Sequence, residues 1–154
     1  MRSATIIALT LLLTCCSTSS TPTLSAAEQL AKDVATIDSY LTSKGITAQQ
    51  DPSGLRYVFT TTGTGVKPSL SSSITVKYVG KLLSTGAIFD QSTSFTSGLS
   101  QLIRGWQIGL QLMPKGSVAT LYIPSGLGYG PSGAGSAIPP NANLIFDITL
   151  TDVK

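Results

Sequence analysis

With 154 residues, 42% apolar and 11% charged side chains, the chain can bury one ordinary hydrophobic core and is too short for two, so a single domain is expected. The net charge of +3 is scattered from Lys32 through Lys77 and Arg104 to Lys154 without a basic cluster or interleaved aromatics, so no nucleic-acid partner is expected. There is no histidine, which removes the common general base, serine triads with a histidine member and most zinc sites.

Arg2, an apolar run from Ile6 to Leu13 and the small residues after it have the form of a secretory signal, and the run is too short to span a bilayer. Residues 1–16 are read as that signal, and the mature protein is expected to be exported. Both cysteines, Cys15 and Cys16, close the run. Leu-Leu-Thr-Cys-Cys resembles the lipobox of bacterial lipoproteins, although Thr14 or Cys15 stands where that pattern prefers Gly or Ala. The first reading is lipidation of Cys15 or Cys16 and a lipid anchor in the bacterial envelope, in the periplasm or at the outer membrane. The other is cleavage near Ala26 or Ala27, which discards both thiols. Residues 17–24, rich in Ser and Thr, read as a tether.

Residues 25–45 form a separate helical extension. Ser25 with Glu28 three positions on is a capping box and Gly45 a C-terminal stop, which predicts a helix over 26–43. Ala27, Leu30, Val34, Ile37 and Leu41 fall on one stripe. Its heptad rhythm lasts too briefly for a coiled coil, so the stripe is expected to dock on the chain's own domain.

Residues 46–154 make the main domain. From Leu55 the period changes to two, and strands are predicted at Leu55–Thr60, Ile74–Leu83, Ser117–Ile123 and Leu144–Val153. In the last, Leu144, Phe146, Ile148 and Leu150 share one face and Asp147, Thr149 and Thr151 the other, the pattern of a sheet covered on one side only. Gly63–Ser73 and Ser84–Gly86 read as turns.

Leu102, Trp106 and Leu110 recur at helical spacing, with Ile103 beside them, and predict one short helix ended by Pro114 and Gly116. Trp106, the only tryptophan, is expected to floor an apolar concavity with its indole N–H near a partner. Gly105 and Gly109 are explained by a neighbouring backbone passing close. Ser125–Asn143 carries too many glycines and prolines for a regular element. It also holds Tyr129 and Ile138, and loops of this length are commonly functional. The fold class is therefore α+β: an antiparallel sheet of about five strands with the short helix across its concave face.

Gly128-Tyr-Gly-Pro-Ser-Gly133 satisfies G-x-G-x-x-G on paper, but Pro131, Pro139 and Pro140 forbid the helix that a nucleotide fingerprint must open. Neither a G-x-S-x-G elbow nor a Walker A loop occurs, and the few carboxylates are unpaired, so no cofactor or metal is expected.

Seven fragments remain: Val76-Lys-Tyr78-Val-Gly80-Lys-Leu82, Gly86-Ala-Ile-Phe89-Asp90, Leu102-Ile103-Arg-Gly105-Trp106, Met113-Pro-Lys-Gly116, Ile123-Pro124, Tyr129-Gly130 and Ile138-Pro-Pro-Asn-Ala-Asn-Leu144-Ile-Phe146-Asp. In order and spacing, from about Gly54 to the C-terminus, they resemble FKBP-type peptidyl-prolyl cis-trans isomerases, in particular envelope-targeted bacterial members.

The resemblance implies a half-barrel of antiparallel strands wrapped around the helix and an isomerase of X-Pro bonds in unfolded or folding envelope proteins. Catalytic positions would be Tyr78, Phe89, Asp90, Trp106, Tyr129 and Phe146, and substrate would also meet Phe95, Leu102, Ile103 and Ile138. Partners implied are proline-containing polypeptides and macrolides of the tacrolimus and rapamycin type. Trp106 would be the floor, Tyr78, Phe89 and Phe146 walls, and Ile103 N–H and Tyr129 O–H the holders of the substrate backbone. The alternative is a non-catalytic, chaperone-like or scaffold module for proline-containing segments. Two departures stand out. The arginine that follows the Phe-Asp pair in the archetype has no counterpart in Gln91–Gly98, and Ala134 and Ala137 stand where larger side chains are frequent.

Overall fold

The computed structural model describes residues 24–154. The signal, Cys15, Cys16 and all but the last residue of the tether lie outside the described residues.

The first element is helix α1 (Ala26–Ser43), opened by the capping box. Ser25 Oγ accepts from Glu28 N–H at 3.3 Å while Ser25 N–H donates to Glu28 Oε2 at 2.8 Å. The Ser25 hydroxyl also donates to Glu28 Oε2 at 2.7 Å, and this bond first, the Ser25 N–H bond second, holds the Glu28 carboxyl below the usual carboxylate range. Gly45, at φ +65°, takes the left-handed position after the helix that only glycine adopts cheaply.

Six antiparallel strands follow in one sheet: β1 (Gln49–Gln50), β2 (Arg56–Thr61), β3 (Ser73–Leu82), β4 (Ile88–Gly98), β5 (Val118–Ile123) and β6 (Leu144–Val153), in the order β1-β2-β5-β6-β3-β4. Two lie outside the four strands predicted from the sequence: β1, a two-residue edge, and β4. β4 is an edge strand paired only to β3, and two breaks in register, at Val76/Tyr78 and Gly80/Lys81, erase the alternation by which strands are read.

Helix α2 (Arg104–Leu112) lies between β4 and β5 in sequence and packs on the concave face. It starts later than the spacing of Leu102, Trp106 and Leu110 suggested. Leu102 and Ile103 are extended residues leading into it, and the Ile103 carbonyl accepts from Trp106 N–H and Gln107 N–H at 3.0 and 3.1 Å. A Cβ on Gly105 would meet the Ile123 side chain at 2.5 Å, and one on Gly109 would meet Leu121 at 2.5 Å. The glycines therefore admit side chains of β5, not the neighbouring backbone expected above. Leu110, Met113, Leu121, Ile123, Leu144 and Ile148 close this core at 1% exposure or less. Burial of such a side chain contributes roughly 1.5–3 kcal/mol.

The opposite face is not bare. Ile37 and Leu41 of α1 pack with Leu83, Tyr122 and Ile145 in a second core. This corrects the one-sided sheet: Ile145 and Tyr122 belong to the face assigned to solvent, and α1 covers it. Arg56 of β2 adds a two-point ion pair to Asp38, Nε to Oδ1 at 2.8 Å and Nη2 to Oδ2 at 3.0 Å. The helix thus docks on its own sheet.

Candidate functional site

Near the middle of β3, Tyr78 and Gly80 point the sheet's concave surface toward a set of rings. A Cβ on Gly80 would come within 2.8 Å of both Phe146 and Phe89, so glycine here lets two aromatics lie against the strand. Phe146 on the neighbouring β6 and Tyr78 meet Trp106 of α2 edge to face, with centroids 5.2 and 5.1 Å away at 87° and 84°. Phe95, from β4, completes the set, 5.8 Å from Tyr78 and 6.3 Å from Trp106 and near-perpendicular to both. Such contacts contribute about 0.5–1.5 kcal/mol each beyond burial, and together they fix the rings as one rigid block.

The rings border a cleft of about 320 Å³ lined by Tyr78, Asp90, Phe95, Gln101, Leu102, Ile103, Trp106, Tyr129 and Phe146. A wider concavity of about 670 Å³ lies among Lys77, Gln91, Thr93, Asp147 and Thr149. It is more open and holds only one aromatic ring, Tyr78, so size does not select it over the aromatic cleft.

Eight of the ten residues put forward from the sequence line the cleft. Phe89 and Ile138 do not. Phe89 stands behind Phe146, edge to face at 5.5 Å, and Ile138 is 5% exposed in the core beside Ala134. Gln101 lines the cleft and carried no signal in the sequence, being one polar residue in a single turn, Leu99–Gln101. Gln107 escaped notice too. Its amide donates to the carbonyls of Leu102 at 2.7 Å and Ser100 at 3.2 Å, fixing the strip of chain along the cleft wall.

At the rim, Tyr78 O–H donates to Asp90 Oδ2 at 2.6 Å. Asp90 is exposed, so it needs no partner to offset burial. Burial of the Tyr78 phenol, followed by its bond to Asp90 and the charge of that carboxylate, pushes its pKa far above the ordinary tyrosine value. Tyr129, 38% exposed, is also pushed upward, by burial first and Asp90 second. Tyr78 thus gives its hydroxyl proton to Asp90, whose charge also reaches the Tyr129 phenol. The Trp106 N–H has no acceptor among the described residues although it is buried, contrary to the expectation of a nearby partner.

This arrangement contains no nucleophile poised by a base. It is an apolar slot with a tryptophan floor, two phenols and one carboxylate at its mouth. It suits a small apolar ring joined to a polar backbone, with donors placed for the backbone oxygens.

A family model described as FKBP-type peptidyl-prolyl cis-trans isomerase matches residues 65–151, more than half of the chain. Outer membrane protein MIP of Legionella longbeachae is 45% identical over 107 residues, covering 67% of this chain and 46% of that protein. A probable FKBP-type isomerase, FkpA, of Neisseria meningitidis is 45% identical over 105 residues, covering 66% of this chain and 38% of that protein. The chain thus spans less than half the length of these two relatives. Among solved structures, a peptidyl-prolyl isomerase of Pseudomonas syringae pv. tomato superposes with a TM-score of 0.73 at 34% identity, over 86% of this chain and 98% of that one. FkpA of Escherichia coli gives 0.72 at 33% identity, over 83% and 62%.

Proposed function

Because the chain belongs to the FKBP-type peptidyl-prolyl cis-trans isomerase family, we propose that it catalyses exchange about X-Pro bonds in proline-containing polypeptides, with the aromatic cleft as its site. The observation that carries this reading is the perpendicular packing of Tyr78, Phe95 and Phe146 around Trp106, beside the Tyr78–Asp90 bond.

An X-Pro bond favours trans by only about 0.5–1 kcal/mol, yet a barrier of about 20 kcal/mol makes exchange take tens to hundreds of seconds. The barrier is mostly lost amide resonance. A site lowers it by binding the twisted amide better than the planar one, with tenfold in rate for about 1.4 kcal/mol of preference. The proline ring rests on Trp106 between Tyr78, Phe95 and Phe146, while Phe89 backs Phe146 and Ile138 supports the loop. Ile103 N–H and Tyr129 O–H hold the substrate backbone, and Asp90, by accepting the Tyr78 hydroxyl, fixes the polar groups at the cleft's mouth. No proton is transferred.

In this reading residues 46–154 are the isomerase domain and 25–45 a docked extension. Macrolides of the tacrolimus and rapamycin type compete for the same cleft. Export to the bacterial envelope follows from the signal-like start together with a relative named as an outer membrane protein. Lipidation of Cys15 or Cys16 supplies the anchor; mass spectrometry of the mature N-terminus tests it, and an unmodified start near Ala26 or Ala27 would rule it out.

The activity is tested by a protease-free assay of cis-trans exchange in short X-Pro peptides without added metal. Acceleration above the uncatalysed rate is expected. Binding of the same peptides with no acceleration would make the cleft a non-catalytic module instead.

A further inference from the structure

The loop carrying Tyr129 is held at its base by a residue from outside the main domain. It begins at Ser125, which is fully buried, and Ser125 N–H donates to Asp33 Oδ2 of α1 at 2.9 Å and to Asn143 Oδ1 at 3.1 Å. The Ser125 hydroxyl donates to the same Asp33 oxygen at 2.5 Å, and Gln29 Nε2 donates to Asp33 Oδ1 at 2.7 Å. Asp33 is 2% exposed, on a helix face otherwise made by Leu30, Val34 and Ile37.

A carboxylate is a poor choice for docking alone, since an apolar residue of similar size there would avoid its desolvation. Docking is already supplied by Ile37 and Leu41 on the second core and by Asp38 on Arg56. What Asp33 adds is a fixed point for the chain that leads to the cleft. From Ser125 a single turn, Ser125–Leu127, runs through Gly128 to Tyr129, and Asn143, at the loop's far end, accepts from the same Ser125 amide. Tyr129 itself is partly exposed between two glycines, with little to hold it locally.

We propose that Asp33 is a positioning residue for the exchange reaction: through Ser125 it fixes the turn that sets Tyr129 at the mouth of the cleft, making α1 a working part of the site. The inference rests on the isomerase reading above. It predicts that Asp33 acts on activity through Tyr129 and on local order at the loop base.

The test uses the full chain. Exchange kinetics are measured for Asp33→Ala, Ser125→Ala, Asp33→Asn and Tyr129→Ala, and for Asp33→Ala combined with Tyr129→Ala, all under conditions where each is folded by circular dichroism. Leu41→Ala is the control, as it trims the docking contact of α1 roughly two turns beyond Asp33. Asp33→Ala is expected to lower kcat/KM about three- to tenfold, chiefly by raising KM, and Ser125→Ala less, with Asp33→Asn recovering part of the loss. In the Tyr129→Ala background the Asp33 effect should largely vanish, and Leu41→Ala should leave kcat/KM unchanged. Amide hydrogen exchange of residues 125–130 should quicken in Asp33→Ala and not in Leu41→Ala. Equal losses from Asp33→Ala with and without Tyr129, or unchanged exchange protection at 125–130, would overturn the inference while leaving the isomerase reading intact. An unmodified chain with no activity would overturn that reading and this role together, whereas the hydrogen-exchange result would still report whether the tie orders the loop.

Discussion

The Tyr78 hydroxyl donates to Asp90 across 2.6 Å at the rim of the aromatic cleft, joining β3 to β4 by side chains just where their ladder breaks register. A module that only bound proline segments would have little use for an exposed carboxylate there. Asp90→Leu should therefore lower kcat/KM by roughly ten- to hundredfold, the range for losing a hydrogen bond to a charged group. Peptide affinity, read from quenching of Trp106 fluorescence, should change far less. An equal loss in both would mean that Asp90 serves binding and not the rate.

Gly80→Ala should cost about 1–3 kcal/mol in denaturant unfolding, as inserted methyl groups do in packed sites. The new Cβ meets two rings at 2.8 Å, and Phe146 is part of the cleft wall, so kcat/KM should fall with stability. Unchanged activity would show that the ring cluster yields without moving the wall.

Trp106→Ala and Phe89→Ala separate floor from support. Removing Trp106 leaves a cavity under three rings and should cost about 3–5 kcal/mol together with most of the activity. Phe89 is half-buried behind Phe146, so Phe89→Ala should cost less and reach activity only through a loosened Phe146. Urea unfolding and exchange kinetics on both variants decide the order. A larger kinetic defect from Phe89 would mean that its ring reaches substrate.

Activity should be nearly flat from about pH 6 to 8, because no histidine is present and no proton moves. Folded Tyr78 and Tyr129 have raised pKa values, so their phenols are more readily protonated in the fold than in the unfolded chain. The stability this contributes is fully present below the unfolded value of about 10 and is lost as pH rises through the higher folded values. Denaturant midpoints followed from neutral into alkaline pH should fall above about 10, and Tyr78→Phe should reduce that fall.

Much of this was readable from the residues because the signals were local. Ser25 and Glu28 gave the start of α1, Gly45 its end, and the alternation of Leu144, Phe146, Ile148 and Leu150 gave β6 its buried face. What escaped depended on distance along the chain. Gln91–Gly98 is a run of Ser and Thr with one phenylalanine, and only its pairing with β3 makes it a strand. Asp33 looks like a polar intruder on an apolar stripe until its partner, 92 positions away, is known. Phe89 and Phe95 are both phenylalanines on one strand, and the register shift between them decides which faces the cleft.

The strand order β1-β2-β5-β6-β3-β4 puts the last strand made between two earlier ones. Ile74 on β3 opposes Val153, and Val118 on β5 opposes Thr149, so neither neighbour can complete its ladder until β6 has been synthesised. On the ribosome, α1 and the β3–β4 hairpin can form early, but the concave core must wait, its apolar strands uncovered. Long loops must then close before their contacts are gained, which slows assembly relative to a helical bundle of similar size. A proposed helper of other chains' folding thus has a late and non-local folding step of its own.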